Sequence, residues 1–234
     1  MNVEDLFRDL SLGELSNLSM GVEGEGTIEE RHQPKIIRHT NEGLLRLYTR
    51  FILNEKDVLI EQVEAVTNYH LKKQFAESHW DGESVPYPYI KDMASEPFEE
   101  DVIKILEVYD TLGRKLVLND EENRNSLFTP KANLLQVPRP VPGICLGVKY
   151  QAKHRPILLS KLDEELELPE TLYGALTAFI AWKIYSNLNT QEAGAKAQEY
   201  EALFESICNE AVMTDVVSTS IATTNIKFHQ RGWR

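Results

Sequence analysis

Two long consecutive helices, predicted between Pro169 and Asp215, constrain the fold of this chain more than any other stretch of its sequence. Pro169 suits a first helical position, where its missing N–H would have no partner in any case. The first helix is apolar around most of its circumference, which is typical of a buried central helix. After a polar break, Thr190 is a good N-cap for the second helix, which carries one apolar stripe at helical spacing. The pair predicts an αα-hairpin in which the second helix covers the first.

The length and composition suit a globular protein. The chain has 234 residues, of which 42% are hydrophobic and 26% charged, enough for one large domain or two small ones. No apolar run approaches the roughly 18 residues that cross a bilayer, and the acidic N-terminus lacks the basic region of a signal peptide. We therefore expect no membrane contact. The two cysteines, Cys145 and Cys208, are expected to be ordinary reduced thiols.

The charge of the chain is strongly acidic and unevenly distributed. The formal net charge is −12, which argues against a surface that wraps a nucleic acid. An acidic surface would repel DNA that passes close by without trapping it. Between Val3 and Glu30 the only cation is Arg8, whereas no acidic residue follows Asp215. Opposite charges at the two ends of the chain indicate docking surfaces.

Helical patterns also occupy the N-terminal part of the chain. Residues 1–20 predict one or two short helices, and residues 21–26 a turn rich in Gly and Glu. A further helix is predicted from Glu42 to Leu53, with a broad apolar stripe. Arg46 and Arg50 form an i, i+4 pair on its other side.

The middle of the chain is rich in β patterns and proline. A strand is predicted near residues 58–60, although residues 60–64 also fit a continued helix. Residues 102–109 and 115–118 predict a hairpin around a loop that contains Gly113, and residues 144–150 a late strand.

These patterns predict an α+β fold that is mainly α. Helices at both ends form a bundle on the C-terminal αα-hairpin, a β-rich insertion grows from one connection, and the chain ends in an extended arm. The predicted parts are residues 1–62 (N-terminal helices), 63–165 (insertion), 166–215 (hairpin) and 216–234 (arm).

No constellation for catalysis or cofactor binding stands out. The glycines between residues 21 and 26 lack the strand and the lysine of a phosphate loop, and the six histidines are not paired at metal-binding spacing. Only the acids at 99–101 and 120–122 are candidates for a weak divalent-cation site, if a hairpin end brings them together. We predict no catalytic residue, no metal ligand and no cofactor.

The arm has a distinct chemistry. Residues 218–226 are uncharged and β-prone, so they suit addition as a strand to a partner's sheet edge. Residues 227–234 combine aromatic and basic side chains, and Trp and Arg are common at interface hot spots. A free terminus is the alternative. The predicted partner-binding residues are Ile226, Lys227, Phe228, His229, Arg231, Trp233 and Arg234.

Three stretches carry a family resemblance. They are Asn41–Phe51 (NEGLLRLYTRF), Leu176–Tyr185 (LTAFIAWKIY) and Ala195–Phe204 (AKAQEYEALF). With the tail that follows them, they resemble the head-to-tail adaptor (connector) proteins of short-tailed, podovirus-like bacteriophages. The shared features are helix patterns rather than fixed catalytic signatures.

The resemblance implies a structural role in the virion. It implies a ring, commonly of twelve subunits, assembled in the host cytoplasm and docked beneath the portal protein. The ring would extend the channel through which DNA passes without specific binding, and would offer a platform to the tail nozzle or tube protein. It also implies that the arm reaches the portal, with Phe228, Arg231, Trp233 and Arg234 as its main contacts.

Two other classes of function remain open at this point. One is a monomeric scaffolding or regulatory protein that binds a partner through the arm. The other is a metal-dependent hydrolase that uses the acids at 99–101 and 120–122, which would require these carboxylates to converge.

Overall fold

The computed structural model describes residues 1–18, 20–22, 26–80, 82 and 87–214. Within these residues the chain forms four α-helices and seven β-strands. The helices are α1 (Val3–Leu12), α2 (Gln33–Arg50), α3 (Tyr173–Ser186) and α4 (Gln191–Met213). The strands are β1 (Glu55–Glu61), β2 (Asn68–His70), β3 (Ile90–Lys91), β4 (Val102–Tyr109), β5 (Phe128–Lys131), β6 (Leu134–Gln136) and β7 (Cys145–Ala152). Short 3-10 turns cover Lys73–Phe75, Glu77–His79 and Glu170–Leu172.

The chain divides into two compact units. The first consists of Met1–Leu53 and the chain from Pro156 onward, and it contains α1 to α4. The second consists of Asn54–Arg155 and contains β1 to β7. The β-rich insertion predicted from the sequence spans residues 63–165.

The expectation of a mainly α fold is wrong. About 36% of the described residues are helical and 22% are in strands, so this is an α/β protein with two antiparallel sheets rather than mainly a helical bundle. The physical reason lies in the pairing of the strands. β1 pairs with β7 over seven residues, but the two strands are far apart in the chain, and local hydrophobic patterns do not reveal such a partner.

Local capping and burial explain the helices of the first unit. The Asn2 side chain accepts a hydrogen bond from the Asp5 N–H at 2.8 Å, and the Asp5 carboxylate accepts one from the Asn2 N–H at 3.2 Å. This reciprocal capping box starts α1. Thr190 Oγ1 accepts from the Ala193 N–H at 3.2 Å and starts α4. Nine of the 14 residues of α3 are buried, so α3 is the central helix of this unit.

The second unit is built from the two antiparallel sheets. The four-stranded sheet has the order β3-β1-β7-β4, and the three-stranded sheet has the order β2-β6-β5. Alternate side chains are buried along β1 and β7, among them Val58, Ile60, Leu146 and Val148. These side chains share one hydrophobic core with Tyr69 of β2. Both sheets therefore turn an apolar face to the same core.

No helix within the described part of the chain combines the length and the apolar character that crossing a membrane requires.

Candidate functional site

The three stretches with the adaptor resemblance lie on α2, α3 and α4 of the first unit. α2 and α3 meet at Gly43, where a Cβ atom would lie 2.8 Å from Cδ1 of both Leu176 and Phe179. Side chains do not pack at such a distance, so glycine is what allows the two helices to approach this closely. Two of the resembling stretches, which are distant in the sequence, therefore form one contact.

Arg46 extends this contact to the third stretch. Its guanidinium carbon lies 5.5 Å from the ring centroid of Trp182 on α3 and 5.3 Å from that of Phe204 on α4. Phe204 is fully buried and packs edge-to-face on Phe179, with 5.5 Å between the ring centroids. A cation over aromatic faces is stabilising. Arg46 thus joins α2 to both helices of the hairpin.

Glu205 of α4 binds two arginines of α2. Its Oε2 accepts a hydrogen bond from Arg50 at 2.6 Å, and its Oε1 accepts one from Arg46 at 3.2 Å. Arg50 also donates to Asn209 Oδ1 at 2.8 Å. The hydrogen bond from Arg50 is the main reason that the pKa of the Glu205 carboxyl lies below its usual value of 4.5. The network is partly exposed, so its contribution to the free energy of unfolding is small. Its main effect is to fix the position of α4 against α2.

The variant Glu205→Gln is expected to lower the free energy of unfolding by about 0.5–1 kcal/mol at pH 7, the range for a partly exposed network. Because the pKa of Glu205 is lowered in the folded state, its contribution is fully present above about pH 4.5 and is lost as the pH falls through the folded-state pKa. Urea unfolding of both proteins at pH 7 and pH 3 measures the difference. A difference that persists unchanged at pH 3 would show that the ion pairs are not its cause.

A second ionic contact joins α2 to α3. Lys183 Nζ lies 3.1 Å from Glu42 Oε1 and 4.6 Å from the ring centroid of Trp182. His39 is buried one turn before Glu42, and among the described residues its Nδ1 has no hydrogen-bond partner, lying 3.5 Å from Glu42 Oε2. Burial lowers the pKa of His39, so its ring is neutral at pH 7.

A depression of about 910 Å³ lies on the second unit beside β1. Its lining includes the β1 residues Glu55 to Leu59, with Met93, Gly147 and Lys149. The side chains of Leu59 and Met93 are 50% and 67% exposed.

The acidic residues proposed as a cation site engage other partners. Asp101 binds Lys56 at 2.6 Å and accepts from the Tyr150 hydroxyl at 3.2 Å, and Glu99 binds Lys73 at 3.1 Å. Burial, and then the charge of Asp101, raises the pKa of the Tyr150 hydroxyl above its usual range. In the other cluster, Asp120 and Glu122 belong to a turn in which the Glu122 N–H donates to Asp120 Oδ1 at 3.1 Å.

Across residues 1–18, 20–22, 26–80, 82 and 87–214, no three His, Cys, Asp or Glu side chains are grouped as metal ligands. The carboxylates at 99–101 and 120–122 thus form no such group among the described residues.

The predicted arm lies outside the described residues. These end at Thr214, so the structure says nothing of Ile226, Lys227, Phe228, His229, Arg231, Trp233 and Arg234.

Sequence reasoning missed the contact of Glu205 with the two arginines and the depression beside β1. The signal for the first was the i, i+4 spacing of Arg46 and Arg50, which presents two guanidinium groups on one side of a helix. A signal for the second was Gly147 in the middle of a predicted strand, since a glycine there often marks close approach of another chain.

Comparison with models of known protein families and with curated protein sequences finds no match for this chain. The adaptor resemblance therefore stays a prediction that rests on the three stretches and on the contacts between them.

Proposed function

We propose that this chain is the subunit of a head-to-tail adaptor ring in a short-tailed bacteriophage. The observation that carries the proposal is the contact around Gly43 and Arg46. The stretch Asn41–Phe51 is distant in the sequence from the two stretches of the hairpin, yet it packs on both of them as α2 on α3 and α4. A chance likeness of three unrelated helices would not require them to share one contact.

The charge of the chain supports a role beside passing DNA. A formal net charge of −12 repels the phosphate backbone, and DNA that must slide through a channel is not held by such a surface. In the proposed role, DNA passes through the ring without specific binding. The ring extends the channel of the portal protein, and the β-rich unit offers the platform for the tail nozzle or tube protein.

The arm is the proposed link to the portal. Three cations and no acid follow Asp215, which is the opposite of the acidic body, and Trp233 supplies an apolar anchor. Docking by such a terminal segment delays assembly until the partner is present, because only contacts with the partner offset the entropy lost when the segment becomes ordered. The proposed location is the head-tail junction of the virion, after assembly in the host cytoplasm.

Mass photometry of the full chain, with and without the portal ring of the same virus, tests the proposal. We expect the portal ring to gain mass in one fixed multiple of the 26.8 kDa subunit, with twelve copies as the expected stoichiometry. The portal ring without the chain, and the chain alone at the same concentration, are the controls. If the mass of the portal ring does not change at micromolar chain, the adaptor proposal fails and a monomeric scaffolding or regulatory role replaces it.

A further inference from the structure

β1 has one half that is paired on both sides and one half that is paired on one side only. β7 pairs with all its residues from Glu55 to Glu61, whereas β3 pairs only with Leu59 and Ile60. Beside Glu55–Val58 the four-stranded sheet therefore has an open edge, and no other strand of the described chain occupies it. The depression of about 910 Å³ lies at this edge.

The register identifies the backbone groups that face the open side. The Glu61 N–H donates to the Tyr89 carbonyl at 2.8 Å, on the β3 side of the strand. Because neighbouring residues of an antiparallel strand direct their backbone groups to opposite sides, the odd-numbered residues of β1 face β3 and the even-numbered ones face β7. The N–H and C=O groups of Glu55 and Asp57 therefore point into the depression. Within the described residues, no backbone partner pairs with them there.

The lysines around the open edge do not favour an anionic ligand. They are already paired, Lys91 with Glu61 at 2.8 Å, Lys149 with Glu55 at 2.5 Å and Lys56 with Asp101 at 2.6 Å. An anionic ligand therefore finds no free cation among them, and the acidic Asp57 and Glu96 also line the depression. A polypeptide that pairs through its backbone needs no free cation.

The chain itself contains a segment of this kind just beyond the described residues. Residues 218–226 carry no charge and are rich in Thr and Ile, which favour strands. An unpaired edge is a template for such a segment. We propose that residues 218–226 of a second copy of this chain add to the sheet beside Glu55–Val58, so that each copy offers one edge and one strand. The last eight residues, 227–234, remain free for another partner.

The choice of a second copy rests on the proposed ring, in which identical neighbours stand side by side. One edge and one strand per copy make a head-to-tail contact, which is the kind that closes into a ring when the rotation between copies fits. The proposed pairing joins one copy of the chain to another and does not require a portal ring. Its test therefore separates it from the portal proposal, because either can fail while the other stands.

Amide hydrogen exchange, read residue by residue on the full chain, tests the pairing without a portal. Exchange is compared between dilute protein and protein concentrated enough to associate, as followed by sedimentation velocity. We expect the Glu55 and Asp57 amides to exchange at least about tenfold more slowly in the associated protein. The Lys56 and Val58 amides, already bonded to β7, serve as internal controls and are expected to change little.

Two arm variants complete the test, since neither lies in a described helix or strand. Thr223→Pro removes a backbone donor from the proposed strand and is expected to abolish the concentration-dependent protection. Gln230→Pro, in the last eight residues, is the matched control and is expected to leave it intact. Equal exchange of Glu55 and Asp57 at all concentrations, or protection that survives in Thr223→Pro, overturns the proposal. Protection that does not depend on concentration assigns the edge to the chain's own arm and overturns the second copy.

Discussion

Replacing Arg231 and Trp233 together by alanine is expected to weaken binding of the chain to a portal ring by about 30-fold to 1000-fold. The lower figure corresponds to one interface hot spot of about 2 kcal/mol and the upper one to two of them. The effect is large because Trp brings a wide apolar surface at low entropic cost, and Arg brings several hydrogen-bond donors. Titration of the portal ring with the variant, followed by mass photometry, measures the change.

A matched double variant tests whether the loss of any exposed apolar and cationic side chain lowers the affinity for the portal ring. Leu159→Ala with Lys161→Ala also removes one apolar and one cationic side chain, and both residues are exposed on the first unit. We expect it to load the portal ring with an affinity within about threefold of the wild-type chain, since most surface residues lie outside an interface hot spot. If both double variants bind equally well, the arm is not the docking element, although the chain can still be an adaptor.

Helices were the part of the fold that the sequence predicted most directly. α4 begins after the Thr190 cap as predicted, because the cap and the 3.6-residue pattern act within a few residues. α3 is present but begins at Tyr173 rather than at the predicted Pro169, since Glu170–Leu172 forms a 3-10 turn before it. α2 was expected to begin at Glu42 but begins at Gln33. Its first turns carry polar residues between Ile36 and Leu44, of which His39 and Thr40 are buried by packing that the local pattern does not contain.

The sheets were underestimated for a different reason. Val58 and Val148 are buried opposite one another, yet the sequence of neither strand identifies the other as its pairing partner. Strands are short, so each one gives a weaker sequence pattern than a long helix does, and the strand content is easily underestimated. The half-open edge of β1 was beyond prediction, because it depends on where β3 stops pairing.

The contact between α2 and the hairpin also depended on tertiary structure. Arg46 and Arg50 were predicted to share one side of a helix, which they do, but their common partner Glu205 lies on α4. Spacing shows that two side chains share a face of one helix, but not which helix packs against that face. Gly43 illustrates the same limit, since a glycine inside a helix only signals that something approaches closely.

The variant Gly43→Leu is expected to lower the free energy of unfolding of the helical unit by about 1–2 kcal/mol. A Cβ at this position already lies 2.8 Å from Leu176 and Phe179, and the rest of the leucine side chain has to displace one of them. Overpacking of this kind costs about 1–3 kcal/mol, while the better helix propensity of leucine returns up to about 1 kcal/mol. The overpacking cost lies in the upper part of that range because the Phe179 ring is fully buried between α2 and Phe204 and has little room to move. Urea unfolding followed by the circular dichroism of the helices measures it.

Gly194→Leu supplies the matched control, because this glycine also lies in a helix but no atom lies within 4 Å of the position of its Cβ. There the substitution is expected to stabilise the chain by up to about 1 kcal/mol through helix propensity alone. Opposite signs for the same change at the two positions would show that the close approach at Gly43, rather than leucine itself, determines the result. A neutral Gly43→Leu would mean that α2 and α3 are not held this close, and the contact that supports the adaptor proposal would lose its physical basis.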